Sequence, residues 1–404
     1  MTAMRQGVFD GLKVIDCASF IAAPAAATVL SDFGADVIKV EPPGEGDSYR
    51  NLYKLPGMPV TELNYPWELA SRNKRSLCLD LKTGDGHSVL SKLVAQADVF
   101  ITNLPLPVRR RLKVTYEDLG KLNPRLIYGS FTAYGEVGEE AEKTGFDSTA
   151  YWARSGLMDL VRADHEAAPA RSVPGMGDHP SAMGLYGGIV TALYRRERTG
   201  LGGLVSSSLL ANGLWANGFF VQAALSGLTV PPRPKRDQGT NACTSNYRCA
   251  DGRWFILTLL NEERDFLKLL DVIGRPDLAG DTRFTTRAAR RANAPALIAE
   301  FDPAFASKPL AHWRAALDTA GITFGLIGTL DDIADDQQMR LAGALVPYAG
   351  ETALTVSSPF QIDGETKALP RRAPGLGQHN DAILREVGYG EAEIQRLREL
   401  GVLA

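Results

Sequence analysis

Gly11-Leu-Lys-Val-Ile-Asp-Cys-Ala-Ser-Phe-Ile-Ala-Ala-Pro24, running through an Ala-rich segment to Phe33 and then into Gly34-Ala-Asp-Val-Ile-Lys-Val-Glu41, decides the fold. Two short apolar runs, Leu12 to Cys17 and Ala35 to Glu41, enclose a segment of helical length. That is the pattern of a βαβ unit. Working outward, the alternation repeats: an apolar run at Ser76 to Leu81, a helical pattern near Gly84 to Gln96, then apolar runs at Ala97 to Thr102 and Leu126 to Thr132. Strands alternating with helices predict an α/β protein with a largely parallel sheet, whose ligands bind beyond the carboxyl ends of the strands. The turns of interest are therefore Ala18 to Pro24, Glu41 to Asp47 and Asn103 to Arg111.

The chain has 404 residues, 45% hydrophobic and 23% charged, enough for two domains with a sizeable core. A formal net charge of −3 gives no footprint for nucleic acid or an anionic membrane. Cys17, Cys78, Cys243 and Cys249 lack C-x-x-C spacing, so they read as reduced thiols in a cytoplasmic protein, and no metal site is expected. The first residues contain no apolar run of the kind that directs export. Thr199 to Pro232 carries no charge, but Ser206 to Ser208, Asn212, Asn217 and Gln222 interrupt it too often for a membrane span. The expectation there is a strand and helix buried in the core or in a subunit contact.

Several motifs are missing: no G-x-G-x-x-G follows the first strand, and there is no Walker loop, G-x-S-x-G or H-E-x-x-H. His87, His165 and His312 have no metal-ligand spacing. Basic residues gather instead, with Arg72, Lys74, Arg75 and Lys82 around the third strand and Arg109 to Arg111 after the fourth. Such clusters suit phosphates, although a solvated surface produces the same pattern. A second stretch carries the chemistry: Arg171-Ser-Val-Pro-Gly-Met-Gly-Asp-His-Pro-Ser-Ala-Met183 sets Asp178 on a glycine turn ahead of a helix. The positive helix end favours an ionised carboxylate, available as nucleophile or base. A helix-capping Asp is the simpler reading of this stretch alone.

Motifs along the whole chain resemble the class III coenzyme A transferase family. They are Gly11-Leu-Lys-Val-Ile-Asp16, Gly34 to Gly44, Asn73-Lys-Arg-Ser76, Leu79-Asp-Leu-Lys82, Asp98 to Asn103, Tyr116-Glu-Asp-Leu119, Asn123 to Ile127, Gly145-Phe-Asp147, Gly177-Asp178, Pro359-Phe360, Arg372 to His379, and the closing Ile394 to Val402. The resemblance implies a Rossmann-like large domain, with a parallel sheet, built from residues 1–225 and 330–404. A smaller α+β domain, 226–329, is inserted through linkers, and two subunits interlock as a homodimer. Pro231-Pro-Arg-Pro234 is similar to the outgoing linker and Gly321 to Asp332 to the return. Between them, Tyr247 to Thr258 predicts a hairpin turning at Asp251-Gly252, and Glu262 to Ile273 an amphipathic helix.

The resemblance makes Asp178 the nucleophile, with Gly177 in its turn, and CoA and a carboxylic acid the substrates; no tightly bound cofactor or metal is implied. Residue by residue it places Phe20, Ile21 and Ala22 along the pantetheine, and Leu79, Lys82, Asn103, Leu104 and Arg111 at the nucleotide end. Lys74 and Arg75 join them on charge grounds. Pro42 and Thr144 stand where some members carry an Arg and a Lys. Asp147 is expected to line the active site, or to serve as a local turn residue. Tyr151, Trp152, Trp215, Phe219 and Phe220 are candidates for an acyl pocket or for plain core. The family also holds α-methylacyl-CoA racemases, which use a His where this chain has Phe146. A phenyl ring cannot shuttle a proton, so CoA transfer is the reading ahead of racemisation, and both stand ahead of non-catalytic CoA binding. With only Gln238-Gly-Thr-Asn241 in place of a glycine-rich loop, the acyl group is expected to be larger or more apolar than a small diacid.

Overall fold

A computed structural model describes residues 7–403. Its centre is a six-stranded parallel sheet of β1 (Lys13–Asp16), β2 (Asp36–Glu41), β3 (Arg75–Cys78), β4 (Val99–Thr102), β5 (Ile127–Thr132) and β6 (Gly203–Ser208), in the order β3-β2-β1-β4-β5-β6. The order reverses between β1 and β4, and there the turns leaving the two strands diverge to form a crevice.

Period-two alternation assigns each strand residue to a face. Val14, Val37, Val99, Ile101 and Ile127 point to one side, where α1 (Ala22–Asp32) and the helix beginning at Asp178 bury Ala26, Leu30, Leu185 and Ile189. Ile15, Ile38, Leu77, Phe100 and Tyr128 point to the other, against α2 (Gly84–Val94) and two C-terminal helices. Every residue of α1 is buried, and its alanines allow the close approach. In α2, Thr83 caps the Gly86 amide at 3.0 Å, and Val89, Leu90, Leu93 and Val94 recur at helical spacing on the buried face. The C-terminal segment is tied to the sheet where the Cys78 amide donates to Asn380 Oδ1 at 2.8 Å and the Asp80 amide to the Val402 carbonyl at 2.9 Å.

The chain divides into two compact units. One holds the residues through Asp159, Arg171–Thr229 and those from Gln338 onward; the other holds Leu160–Ala170 and Val230–Gln337. The segment 160–170, read from sequence as part of the large domain, therefore groups with the second unit. That unit has a three-stranded antiparallel sheet of β7 (Asn246–Arg248), β8 (Trp254–Leu257) and β9 (Phe324–Leu326). The β7–β8 turn carries Gly252 at φ 80°, in the region only glycine enters freely. Phe324 to Leu326, read as part of a return linker, is instead the third strand.

Among the described residues no helix is long and apolar enough to cross a membrane, and no cluster of three or more metal-ligating side chains occurs. The charge-free stretch supplies β6 and two short helices, Leu209–Ala216 and Gly218–Leu225. The second of these buries none of its residues within this chain, and Trp215, Phe219 and Leu225 stand exposed. A core position for this part is thereby corrected.

Candidate active site

Asp178 is the first residue of a 22-residue helix, α4 (Asp178–Thr199), counting Leu106–Leu112 as α3. The N-cap position is taken by Gly177, which has no side chain, so Asp178 stands one residue inside the helix and not at the capping position. Gly175 turns at φ 80°, and the His179 Nδ1 lies 3.0 Å from the Gly175 carbonyl, which ties the imidazole back into the turn. Asp147, buried at the start of the helical turn Asp147–Ala153, accepts from the Gly177 amide at 3.2 Å and from the Ser148 amide at 2.7 Å. Two carboxylates thus flank one peptide. Burial, and then the charge of Asp147, raise the Asp178 pKa to about 7. The direction is opposite to the one that a helix end alone would give, and near neutral pH Asp178 divides between its acid and carboxylate forms.

Across from it lies the β1–α1 turn, where Phe20 adopts φ 62°, a conformation costly for a residue with a bulky side chain. Its neighbours fix it there. The Asp47 Oδ1 accepts from Ser19 Oγ at 2.7 Å, from the Phe20 amide at 3.2 Å and from the Tyr49 amide at 3.0 Å. Asn103, at the end of β4, accepts from the Ser19 amide at 2.8 Å and donates to the Ser19 carbonyl at 2.7 Å. Asn103, expected at the nucleotide, thus holds this turn through both its side-chain oxygen and its nitrogen while one side of it faces the cavity. Behind Asp47 runs a buried row of alternating charge: Asp47 to Lys39 at 2.8 Å, Lys39 to Asp16 at 3.6 Å, and Asp16 to Lys74 at 2.8 Å. Burial opposes charge on Lys39, but Asp16, Asp47 and Glu41 overcome it and keep its pKa above the usual lysine value. For Lys74 burial wins, pushing its pKa down to about 8.

Between these turns opens a cavity of about 710 Å³, a volume suited to a small-molecule substrate. Phe20, Ile21, Ala22, Asn103, Leu104, Asp147 and Asp178 all line it, so seven of the sequence-predicted residues converge. The Phe20 and Phe146 rings meet edge to face, 5.8 Å between centroids. Leu79, Lys82 and Leu104 line a second, smaller cavity of about 190 Å³ at the ends of β1, β2 and β3. Arg111 is exposed on α3 and lines neither.

Two expected phosphate ligands fall elsewhere. Lys74 is buried, bonded to Asp16 and to the Pro24 carbonyl at 2.7 Å, and cannot reach a ligand from there. Arg75 starts β3, at the wrong end of the sheet, and is paired with Asp36 at 2.5 Å and Glu386 at 2.7 Å. Charge in the sequence does not reveal which end of a strand it decorates. The aromatic set is also redistributed: Tyr151 and Trp152 belong to the core, Trp215 and Phe219 are exposed, and none of the five lines the cavity. Its apolar walls come instead from Phe20, Phe131, Phe146, Leu52, Leu55 and Leu209, with Arg171 at one side. Tyr49 was also missed. Burial, and next the charge of Asp178, raise its hydroxyl pKa above the ordinary value, which places it within electrostatic reach of that carboxylate.

The fold thus brings a carboxylate at a helix N-terminus to a largely apolar cavity at the switch point of a parallel sheet. The chain belongs to CoA-transferase family III, whose model matches residues 9–380. It is 31% identical to the (R)-2-hydroxy-4-methylpentanoate CoA-transferase of Clostridioides difficile, over 98% of this chain and 99% of that one. It is 32% identical to the acetyl-CoA:oxalate CoA-transferase of Acetobacter aceti, over 97% and 98%. The crystal structure of a CaiB/BaiF family protein from Brucella suis superposes with a TM-score of 0.84 at 31% identity, covering 95% of this chain and all of that one.

Proposed function

We propose that this enzyme moves coenzyme A from an acyl-CoA to a free carboxylic acid through covalent intermediates on Asp178. The observation that carries the reading is the position of Asp178, uncommitted as a cap, half-buried, and facing a cavity whose other walls are largely apolar. A carboxylate oxygen of Asp178 attacks the acyl carbonyl, the C–S bond breaks, and CoA departs as thiolate, leaving a mixed aspartyl-acyl anhydride. The thiolate attacks the aspartyl carbonyl and displaces the first acid, leaving aspartyl-CoA. The acceptor carboxylate then attacks that thioester, and the returning thiolate takes the acceptor's acyl group, restoring Asp178. No water is consumed, and an apolar enclosure protects anhydride and thioester from hydrolysis. Peptide N–H groups of the Gly175 to Asp178 turn are suited to the oxyanions that develop.

In this reading the pantetheine runs along Phe20, Ile21, Ala22 and Asn103. The nucleotide end lies toward Leu79, Leu104 and Lys82, and Arg111 supplies a second cation for the phosphates. Phe20, Phe146, Leu52 and Leu55 favour a branched or aromatic acid over a small diacid. The exposed Trp215, Phe219 and Leu225 are the surface through which two copies would form a homodimer, testable as a concentration-independent dimer mass by light scattering.

Racemisation draws support from one observation, since a carboxyl pKa of about 7 suits a general base. It requires an acid on the opposite face, and Phe146 offers none. One experiment separates the readings. Incubation with an acyl-CoA and hydroxylamine is expected to leave a hydroxamate on residue 178, found by peptide mass, and to inactivate the enzyme. Exchange of the α-proton with deuterated solvent, without adduct or CoA transfer, would instead identify Asp178 as a base.

A further inference from the structure

Among the described residues Arg109 is the largest of the fully buried side chains, and its guanidinium bonds to three segments of the chain. Nε donates to the Leu104 carbonyl at 2.5 Å, at the head of its own helix. Nη1 donates to Ser130 Oγ at 2.5 Å and to Glu136 Oε1 at 3.1 Å, and Nη2 donates to the Phe131 carbonyl at 2.9 Å. Ser130 Oγ also donates to the same Glu136 oxygen, which closes a ring of hydrogen bonds. Leu104 and Phe131 both line the larger cavity, and Glu136 lies near the start of the segment 133–146, whose far part brings Lys143, Thr144 and Phe146 to the cavity wall.

That segment contains no strand and no helix. One backbone bond, from the Leu210 amide to the Ala133 carbonyl at 2.9 Å, ties its start, and side chains hold it further along. The next residue of α3, Arg110, pairs with Glu142 on the exposed side, so two consecutive arginines grip the segment near both ends, one inside and one outside. The outer pair is solvated and worth little. The inner one is different, because a charged guanidinium with 2% exposure needs its acceptors, and Glu136 is the anion among them.

We propose that Arg109 and Glu136 form a latch that sets the wall bearing Phe146 against Phe20, making Arg109 a positioning residue for the acyl group. The proposal rests on reading this cavity as the acyl-transfer site. Neither residue touches the reacting atoms. Their effect reaches substrate through the place at which Phe146 and its neighbours stand.

Glu136→Gln keeps both hydrogen-bonding partners within reach and removes the charge, and with Glu136 partly exposed the variant is expected to fold. Glu136→Ala removes the acceptor altogether. Hydrogen–deuterium exchange of the wild type and both variants reads the latch directly, with peptides covering 133–146 expected to exchange about tenfold faster in Glu136→Ala and less so in Glu136→Gln. Peptides from β1 and β4 should be unchanged. Binding of a non-reactive acyl-CoA thioether should weaken about tenfold in Glu136→Ala, while free CoA binds as before. Arg109→Lys, whose single ammonium has three donors from one atom and cannot reach all four acceptors, should resemble Glu136→Ala. Unchanged exchange over 133–146, or equal losses for the thioether and free CoA, would overturn the latch. Failure of the wild type to trap hydroxylamine would remove the reading of Asp178 and leave the exchange and thioether results standing.

Discussion

The ring of Tyr151 occupies the space that a side chain on Gly177 would need, for a Cβ there lies 2.7 Å from the Tyr151 Cγ. Gly177→Ala must push the turn away from the core and move Asp178 with it. The expected cost is ~1–3 kcal/mol of stability, read as a lower midpoint in urea, together with a large loss of CoA transfer. Tyr151→Ala in the same chain should recover part of both. Equal effects of Gly177→Ala in the presence and absence of Tyr151 would show that the contact is not the reason for glycine.

Asp178 gives a pH signature with a definite sign. Its pKa is raised on folding, to about 7 from an ordinary 3.8, so the folded state holds the proton more tightly than the unfolded chain. The protein therefore gains stability from this group as pH falls from about 7 toward 4, and bears the penalty of the buried charge above 7. Asp178→Asn removes that penalty. It should raise the melting temperature at pH 8, by a few degrees at most given the partial exposure of the site, with the difference vanishing near pH 4. Transfer should be nearly abolished, and in the wild type kcat/KM should climb with pH through about 7.

Asp147 affects that titration through space, since its charge is the second cause of the raised pKa. Asp147→Asn can still accept from the Gly177 amide, so the turn should survive. The rising limb of kcat/KM should move to lower pH in the variant. A limb that stays in place, with activity lost at every pH, would make Asp147 a structural residue only.

Lys74 and Lys82 are eight residues apart and should behave as opposites. Lys74→Met leaves Asp16 short of a buried partner, a loss on the order of 3–5 kcal/mol, measured by denaturant unfolding. Lys82→Ala should leave stability alone and weaken CoA binding by ~1–3 kcal/mol, without changing the binding of a pantetheine thioester that lacks the nucleotide. The same outcome is expected for Arg111→Ala.

Much of the sheet was legible because local pattern decides it. The apolar runs around Val14, Val37, Val99 and Ile127 are short, buried on both faces and separated by helical lengths, so sequence distance along the chain is a fair guide to them. Asp178 was legible too, since a glycine turn before a helix marks itself. Its protonation was not. That depends on Asp147, which comes to the same peptide from thirty-one residues earlier, and on burial that only the fold creates. Lys74 reads as a surface cation for the same reason that most lysines are surface cations; the contrary fact, that Asp16 lies beneath it, is a contact across the sheet. Leu52 and Leu55 were missed as cavity walls because nothing in their local sequence distinguishes them from loop residues, and Arg171 because it lies seven residues from Asp178 in a turn whose path the sequence does not give. Conversely, Trp215 and Phe219 look like core by residue type, and their exposure follows from where the two short helices after β6 lie in the fold, which residue type does not encode.

The left-handed backbone at Phe20 has a further consequence for recognition. Two bonds accepted by Asp47, from the Ser19 hydroxyl and the Phe20 amide, and two made by Asn103, one accepted and one donated, keep the turn in a shape it would not choose alone, at a strain of about 1–3 kcal/mol met during folding. A substrate arriving at this edge therefore finds it already set, and little of its binding energy is diverted into ordering protein. The rim can then act as a rigid template for shape, discriminating between acyl groups by fit and not by induced movement.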